Sequence, residues 1–303
     1  MTIVYRQRLV LALAELAGEE LEEETALLLI MLFCLHAQRE RGQAPYQFVV
    51  WGEQVRSFVL EHDLQTLRLR RWLTPPPRVA LLPPAGQTSF LAQLRQQDRR
   101  RLARVWEEGQ RLAADRRRTW RRLSRQLAAL SLPETAPAQS QEAACLFTVG
   151  YEGLSLDAYL ALLLAHEVRA LVDVRRNPFS RKFGFARARL AQALYEVGIA
   201  YLHLPALGVP SELRRDLESE EAYRALFARY ANDLLPQAAE SVKRLAALVA
   251  EKRRVALTCF EADPGHCHRA VLAAYLCEQG YIDAPVVHLA SKAASHQLLQ
   301  APG

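Results

Sequence analysis

From Cys145 to Leu289, short apolar runs alternate with helical patterns, and this alternation constrains the fold more than any other feature of the 303-residue chain. Cys145–Val149, Ala170–Val174, Ala200–Leu204, Val255–Phe260 and Pro285–Leu289 read as strands. Ser155–His166, Ala186–Val197, Glu220–Glu251 and Cys267–Gln279 read as the helices between them. Strands apolar on both sides, joined by helices, imply an α/β domain with a mostly parallel sheet and helices on both faces.

The first half reads differently. Tyr5–Leu16 and Glu22–Gln38 have helical spacing, and Pro45–Trp51 is a short extended segment. Val55–His62 and Leu64–Leu73 are expected as two short helices, stopped by Thr74-Pro75-Pro76-Pro77 because proline lacks the amide donor. Arg78–Leu82 is extended, up to Pro83-Pro84-Ala85-Gly86. Leu91, Leu94, Leu102, Val105, Leu112, Leu123, Leu127 and Leu130 form one apolar stripe, which predicts a long helix over 89–130. Ser131–Ser140 has linker composition. The expected organisation is a mainly helical, winged-helix-like domain at 1–88, an arginine-rich helix at 89–130, a linker at 131–144 and the α/β domain at 145–303.

Charge separates the two halves. Residues 1–140 hold 21 arginines, no lysine and 15 acidic residues, a net charge of +6; the remainder carries 18 basic and 18 acidic residues. Twelve arginines stand against four acidic residues between Arg95 and Arg125. Two readings of this helix stay open. It is a solvated connector or coiled-coil arm, or a phosphate-tracking surface in which Arg99, Arg100, Arg101, Arg117, Arg118, Arg121 and Arg122 face DNA or RNA, with Trp106 and Trp120 as stacking or core residues. Five scattered cysteines form no disulfide framework, and no long uncharged apolar run appears. A cytoplasmic protein without membrane association, able to self-associate through the arginine helix, is therefore expected.

In a parallel sheet, ligands bind beyond the carboxyl ends of the strands. Those loops are dense in ionisable residues. The first holds Gly150-Tyr151-Glu152-Gly153 and the second Asp173, Arg175, Arg176, Asn177, Ser180, Arg181 and Lys182. The third holds His203, Pro205 and Gly208, and the fourth Cys259, Glu261, Asp263, His266, Cys267, His268 and Arg269. Arg175, Arg176, Ser180, Arg181 and Arg269 form a fork suited to phosphate or carboxylate, unless Asp173 and the arginines pair internally. Tyr151, Glu152, His203 and His266 complete the candidate substrate-binding set.

Cys267 stands where a helix begins. Unpaired amides and the neighbouring His266, His268 and Arg269 there favour a thiolate, so a lowered pKa is expected. Three roles are open: a nucleophile or redox residue, a metal ligand with Cys259 and one histidine, or a packed cysteine. The spacing lacks paired Cys-x-x-Cys knuckles, so no metal is assigned from sequence, and no cofactor is named. Cys267, His268, Glu261 and Asp173 are the candidate catalytic residues. Glu261 is open to two roles, general base or arginine partner, and Asp263 reads as a turn residue.

Four motifs carry a resemblance to a known family. They are Phe147-Thr148-Val149-Gly150-Tyr151-Glu152-Gly153, Asp173 through Arg181, Tyr201 through Gly208, and Cys259-Phe260-Glu261 through Cys267-His268-Arg269. In this order, over roughly 145–290, they resemble the domain of unknown function 488 family. Val209 replaces the second glycine usual in the third motif. The resemblance implies an α/β domain with one shared polar site and supplies no reaction. In the first half, the segment around Tyr46-Gln47-Phe48-Val49 resembles small helical modules of phage-linked and antitoxin proteins. Val50-Trp51-Gly52-Glu53-Gln54 departs from their "Y-G-P-x-S" continuation.

The function expected from these residues is an enzyme, or enzyme-derived domain, acting on an anionic nucleotide or nucleic-acid substrate. The rival is a non-catalytic DNA-binding regulator, or defence-associated protein, whose α/β half senses a small anionic ligand.

Overall fold

The computed structural model describes residues 3–40, 44–51, 54–82, 89–112, 119–120, 122–123, 125–126, 143–214 and 219–289. The chain divides into two compact units, Met1–Ser131 and Leu132–Gly303. Among the described residues, no helix is long and apolar enough to cross a membrane.

The first unit is built on helices α1 (Tyr5–Ala17), α2 (Glu23–Arg39), α3 (Phe58–Leu69) and α4 (Gln96–Leu112). Two antiparallel strand pairs join them: β1 (Leu21–Glu22) with β4 (Arg78–Val79), and β2 (Val49–Trp51) with β3 (Gln54–Arg56). α2 is buried along most of its length, from Ala26 to Ala37, which explains its nearly uninterrupted apolar sequence. Where two short helices are expected, one forms. Val55 lies in β3, and α3 runs through His62 and Asp63 without a break. Asp63 is fully buried, yet it is satisfied there, because Arg6, Gln7 at 2.8 Å and Tyr46 at 3.1 Å all donate to its carboxylate. A buried acid with three donors belongs inside an element, not between two.

The arginine-rich helix also begins later than its leucine stripe suggests. Residues 90–93 form turns, and helix begins at Gln96. Gly109 lies so close to α2 that a Cβ there would sit 2.3 Å from Leu29 Cδ2. This close approach turns part of the charged face inward. Arg101 is buried, bonded to Glu40 and Asp98 at 2.7 Å each, with its guanidinium over the Phe33 ring. Bonds from Arg101 and Arg104 hold the Glu40 carboxyl down at about 2. Arg101 is therefore an internal ion-pair residue and is unavailable to phosphate. Arg99, Arg100 and Arg122 are exposed. Arg117, Arg118, Arg121 and 131–142 of the linker lie outside the described residues.

The second unit is an α/β domain. Its elements are β5 (Cys145–Gly150), α5 (Leu156–Ala165), β6 (Ala170–Asp173), α6 (Arg187–Glu196), β7 (Ala200–His203), α7 (Glu220–Arg229), α8 (Ala239–Lys252), β8 (Arg254–Cys259), α9 (His268–Glu278) and β9 (Val286–Leu289). The five strands are all parallel, in the order β7-β6-β8-β5-β9. β5 and β8 are buried at every position, as strands covered on both faces must be. The helical stretch expected over Glu220–Glu251 is interrupted by a π-turn at Tyr230–Leu234 and a single turn at Leu235–Gln237. Pro236, which cannot donate within a helix, lies in the second of these turns. One core cluster spans the sheet, including Leu146, Val172, Leu257, Tyr230, Val242, Leu245 and Leu272.

The strand order places the site. The chain passes from β5 to β6, then to β7, and returns to insert β8 between β5 and β6. The carboxyl end of β8 thus opens where neighbouring connections diverge, the usual crevice of such sheets.

Candidate functional site at the end of the central strand

Two glycines let the loops converge over this crevice. At Gly150, which ends β5, a Cβ would lie 1.7 Å from the Glu261 carbonyl oxygen. At Gly208, after β7, it would lie 2.2 Å from the Arg176 amide nitrogen. Only glycine admits backbone this close. The loop after β8 therefore rests on the end of β5, and the loop after β7 rests on the loop after β6.

The loop after β8 is held from behind by Arg269. Its fully buried guanidinium donates to the carbonyls of Glu261 at 2.6 Å and Ala262 at 3.0 Å. Glu152 accepts from the Ala262 amide at 3.0 Å and ties the same loop to the end of β5. Asp263 caps the short turn that follows, accepting from Gly265 at 2.8 Å, which matches its reading as a turn residue.

This scaffold gathers four ionisable side chains. The Sγ atoms of Cys259 and Cys267 lie 3.1 and 2.9 Å from the same Glu261 oxygen, Oε2. Nδ1 of His268 approaches Cys259 Sγ at 3.8 Å. Nε2 of the same ring lies 3.1 Å from the Val174 carbonyl at the end of β6. A carbonyl only accepts, so Nε2 donates that bond and Nδ1 is turned toward the sulfurs. The rings of Tyr230 and His268 meet edge to face at 5.5 Å, and Tyr230 anchors itself by donating to the Leu207 carbonyl at 2.5 Å. His268, Cys259 and Cys267 are all buried, whereas the Glu261 side chain is 25% exposed. Glu261 is the member that meets solvent.

The thiol pushed down is Cys259, not Cys267, where the start of the helix predicts it. A hydrogen bond from Cys267 holds the Cys259 thiol well below its ordinary range against the opposing effect of burial, with His268 and Glu261 adding to it. Burial and the adjacent sulfur push Cys267 up. Burial, then the Cys259 charge, also raises the Glu261 carboxyl. Although Cys267 occupies the N-cap position of α9, its side chain makes no cap bond there. Its sulfur turns toward Glu261, away from the orphan amides that were to lower its pKa.

Beside Glu261 and His268 lies a cavity of about 40 Å³, also lined by Val209, Arg214, Tyr223, Leu226, Phe227 and His266. One water needs roughly 10–15 Å³, so the space suits a phosphate-sized group. Arg214 Nη2 donates to Glu261 Oε1 at 3.0 Å. His266 lies between Asp263 at 2.8 Å and Glu220 at 2.9 Å, and these partners raise its pKa.

The structure divides the remaining sequence candidates. Asp173 and Arg175 form an internal clamp. Arg175 donates to both Asp173 oxygens, at 2.8 and 2.5 Å, and to Tyr151 Oη and the Phe185 carbonyl, each at 2.9 Å. Tyr201 also donates to Asp173 at 2.8 Å, and Asp173 is fully buried. The proposed acid/base Asp173 and phosphate ligand Arg175 therefore spend their groups on each other. Tyr151 is buried against the Phe185 ring, with centroids 4.3 Å apart. His203 donates through Nε2 to the Arg175 carbonyl at 2.9 Å, and Ser180 accepts from the Lys182 amide at 3.2 Å. These residues shape the second loop. Arg269 grips backbone carbonyls, which leaves Arg176 and Arg181 as exposed members of the expected fork. Sequence reasoning overlooked Arg214 and the aromatic pair Tyr223 and Phe227. Following the third loop beyond Gly208 to the basic end of Ser211–Arg214 is the signal that finds Arg214.

Residues 155–276 match the family model of Domain of unknown function DUF488. The second, third and fourth motifs lie inside that stretch, and the Gly150-containing motif precedes it. No curated protein and no solved structure matches the chain.

Proposed function

We propose that this DUF488-type domain is an enzyme, or an enzyme-derived domain, acting on an anionic substrate of nucleotide or nucleic-acid type. The observation that carries the reading is the convergence of Cys259, Glu261, Cys267 and His268 at the carboxyl end of the central strand, beside a cavity walled by Arg214, His266, Tyr223 and Phe227. Arg214 binds the anionic group inside the cavity, and Tyr223 and Phe227 in its wall contact the substrate beside that group. Glu261 occupies the entrance: Oε1 is held by Arg214 and Oε2 faces the sulfurs. An incoming anion competes with Glu261 for Arg214, so binding frees the carboxylate to move a proton at the reacting atoms and uncovers the centre behind it.

The first unit supplies nucleic-acid affinity through Arg99, Arg100 and Arg122, which are exposed and, among the described residues, form no internal ion pair as Arg101 does. This electrostatic contact is non-specific and salt-sensitive. It raises the local concentration of a polyanionic substrate.

Calorimetric titration of the full chain with mononucleotides, short single strands and inorganic phosphate tests the reading. A charge-assisted bond is worth about 1.5–3 kcal/mol, so Arg214→Ala should weaken binding about 10- to 150-fold. Glu261→Gln should keep binding and lose turnover. Equal affinity in wild type and Arg214→Ala would sink the assignment of this cavity.

A further inference from the structure

We propose that Cys259 Sγ, Cys267 Sγ and His268 Nδ1 are ligands of a zinc-type divalent cation, with Glu261 Oε2 in an exchangeable fourth position. The three donor atoms all lie within 4.8 Å of one another. Zinc bonds of roughly 2.0–2.3 Å in a tetrahedron give ligand–ligand edges of roughly 3.3–3.8 Å. The Cys259 Sγ–His268 Nδ1 separation is already 3.8 Å, and Glu261 Oε2 lies 3.1 and 2.9 Å from the two sulfurs. Small movements of side chains on an otherwise fixed backbone close the shell.

The surroundings match what such a site requires beyond its ligands. A metal-bound imidazole is oriented by a bond from its other nitrogen, often to a backbone carbonyl. His268 makes that bond to Val174, which turns Nδ1 toward the sulfurs. Arg269 and Gly150 fix the loop that carries Glu261, one by gripping its carbonyls and the other by lying under it. Two thiolates and one imidazole select a borderline-soft ion such as zinc, not magnesium or calcium, whose sites are built from oxygen ligands. On binding, the ion takes the place of the proton held by the sulfur pair, which leaves to solvent.

Three protein ligands with a partly exposed carboxylate in the fourth position describe an open site, not a closed structural one. The carboxylate also belongs to the wall of the cavity described above. Catalytic use of that open position rests on the function proposed above; the site itself does not.

The test uses the full chain, reduced and desalted. Metal content is measured by plasma emission, and the chelator-treated protein is then titrated with Co²⁺. Expected are one ion per chain, a sulfur-to-cobalt charge-transfer band and visible bands of tetrahedral intensity. Cys259→Ser and Cys267→Ser should each diminish the charge-transfer band, and Cys277→Ser, on an exposed residue, should leave it intact. A wild-type spectrum without the charge-transfer band, or a disulfide between Cys259 and Cys267 forming in place of metal uptake, overturns the proposal. So does a band that survives both cysteine substitutions combined. If the variants fail to fold, the wild-type cobalt spectrum decides alone. Cobalt uptake without nucleotide binding removes the functional reading and leaves the metal site. Nucleotide binding without cobalt uptake does the reverse.

Discussion

Replacing Arg175 with methionine tests whether the second loop is an internal clamp. The substitution removes both side-chain bonds to Asp173, at 2.8 and 2.5 Å, and the donors to Tyr151 and Phe185. Asp173 stays fully buried, and among the described residues the Tyr201 hydroxyl at 2.8 Å and the residue 175 amide at 3.1 Å are left to stabilise its charge. Breaking a buried ion pair from one side costs about 3–5 kcal/mol. That is about two to three and a half powers of ten in the unfolding constant. The assay can be confined to the right unit, because all four tryptophans, Trp51, Trp72, Trp106 and Trp120, lie in Met1–Ser131. Tryptophan fluorescence in urea therefore reports the first unit and should not change. Labelling of the buried Cys145, Cys259 and Cys267, read peptide by peptide, reports the second, whose midpoint should fall sharply. A loss below about 1 kcal/mol, the worth of an exposed pair, would refute the reasoning. It would mean that water reaches Asp173 and that the arginine is available to ligands.

Other substitutions probe separate links. Gly150→Ala forces a Cβ into the Glu261 carbonyl, and overpacking of this kind costs about 1–3 kcal/mol; a urea midpoint equal to wild type would show that the loop yields freely. Arg99→Ala with Arg100→Ala should weaken single-strand binding for every sequence alike and flatten the log–log salt slope by about 1.4, from 0.7 per phosphate contact; an unchanged slope assigns the contact elsewhere. Burial, reinforced by Arg254, lowers the His166 pKa. The unfolded chain then binds the proton more readily. Stability contributed here is present above the unfolded value near 6.5 and declines as pH falls toward the depressed folded value. The urea midpoint should drop between pH 7.5 and 5.5, and His166→Gln should reduce that drop; an identical pH response in the variant would remove His166 as its source.

The α/β architecture was legible because strands buried on both faces must be apolar throughout, and β5 and β8 are. The placement of Cys259, Glu261, Cys267 and His268 at strand ends followed from the same alternation. Side-chain direction was not legible. Arg175 and Arg269 have the composition of a phosphate fork, but one folds back onto Asp173 two residues away and the other onto carbonyls of its own loop. Sequence spacing cannot tell an arginine that satisfies its neighbours from one that awaits a ligand. The lowered thiol was misplaced for a related reason: Cys267 does stand at the helix start, but its sulfur meets a second one eight positions earlier, and between the two it is Cys259 that is pushed down. The two helices expected on either side of Asp63 are one, because three donors from residues 6, 7 and 46 satisfy that buried acid inside α3, and none of them is visible from local spacing.

The burial of both central sulfurs behind Glu261 also governs how the molecule behaves toward electrophiles. Cys277 is the cysteine that an alkylating reagent meets, yet burial and the acids Glu278 and Asp283 raise its pKa, so at neutral pH it reacts sluggishly. A survey of reactive thiols would tag this bystander weakly and pass over the pair of interest, scoring the chain as inert. Labelling that accelerates at Cys259 only when a ligand draws the carboxylate aside would reveal the pair.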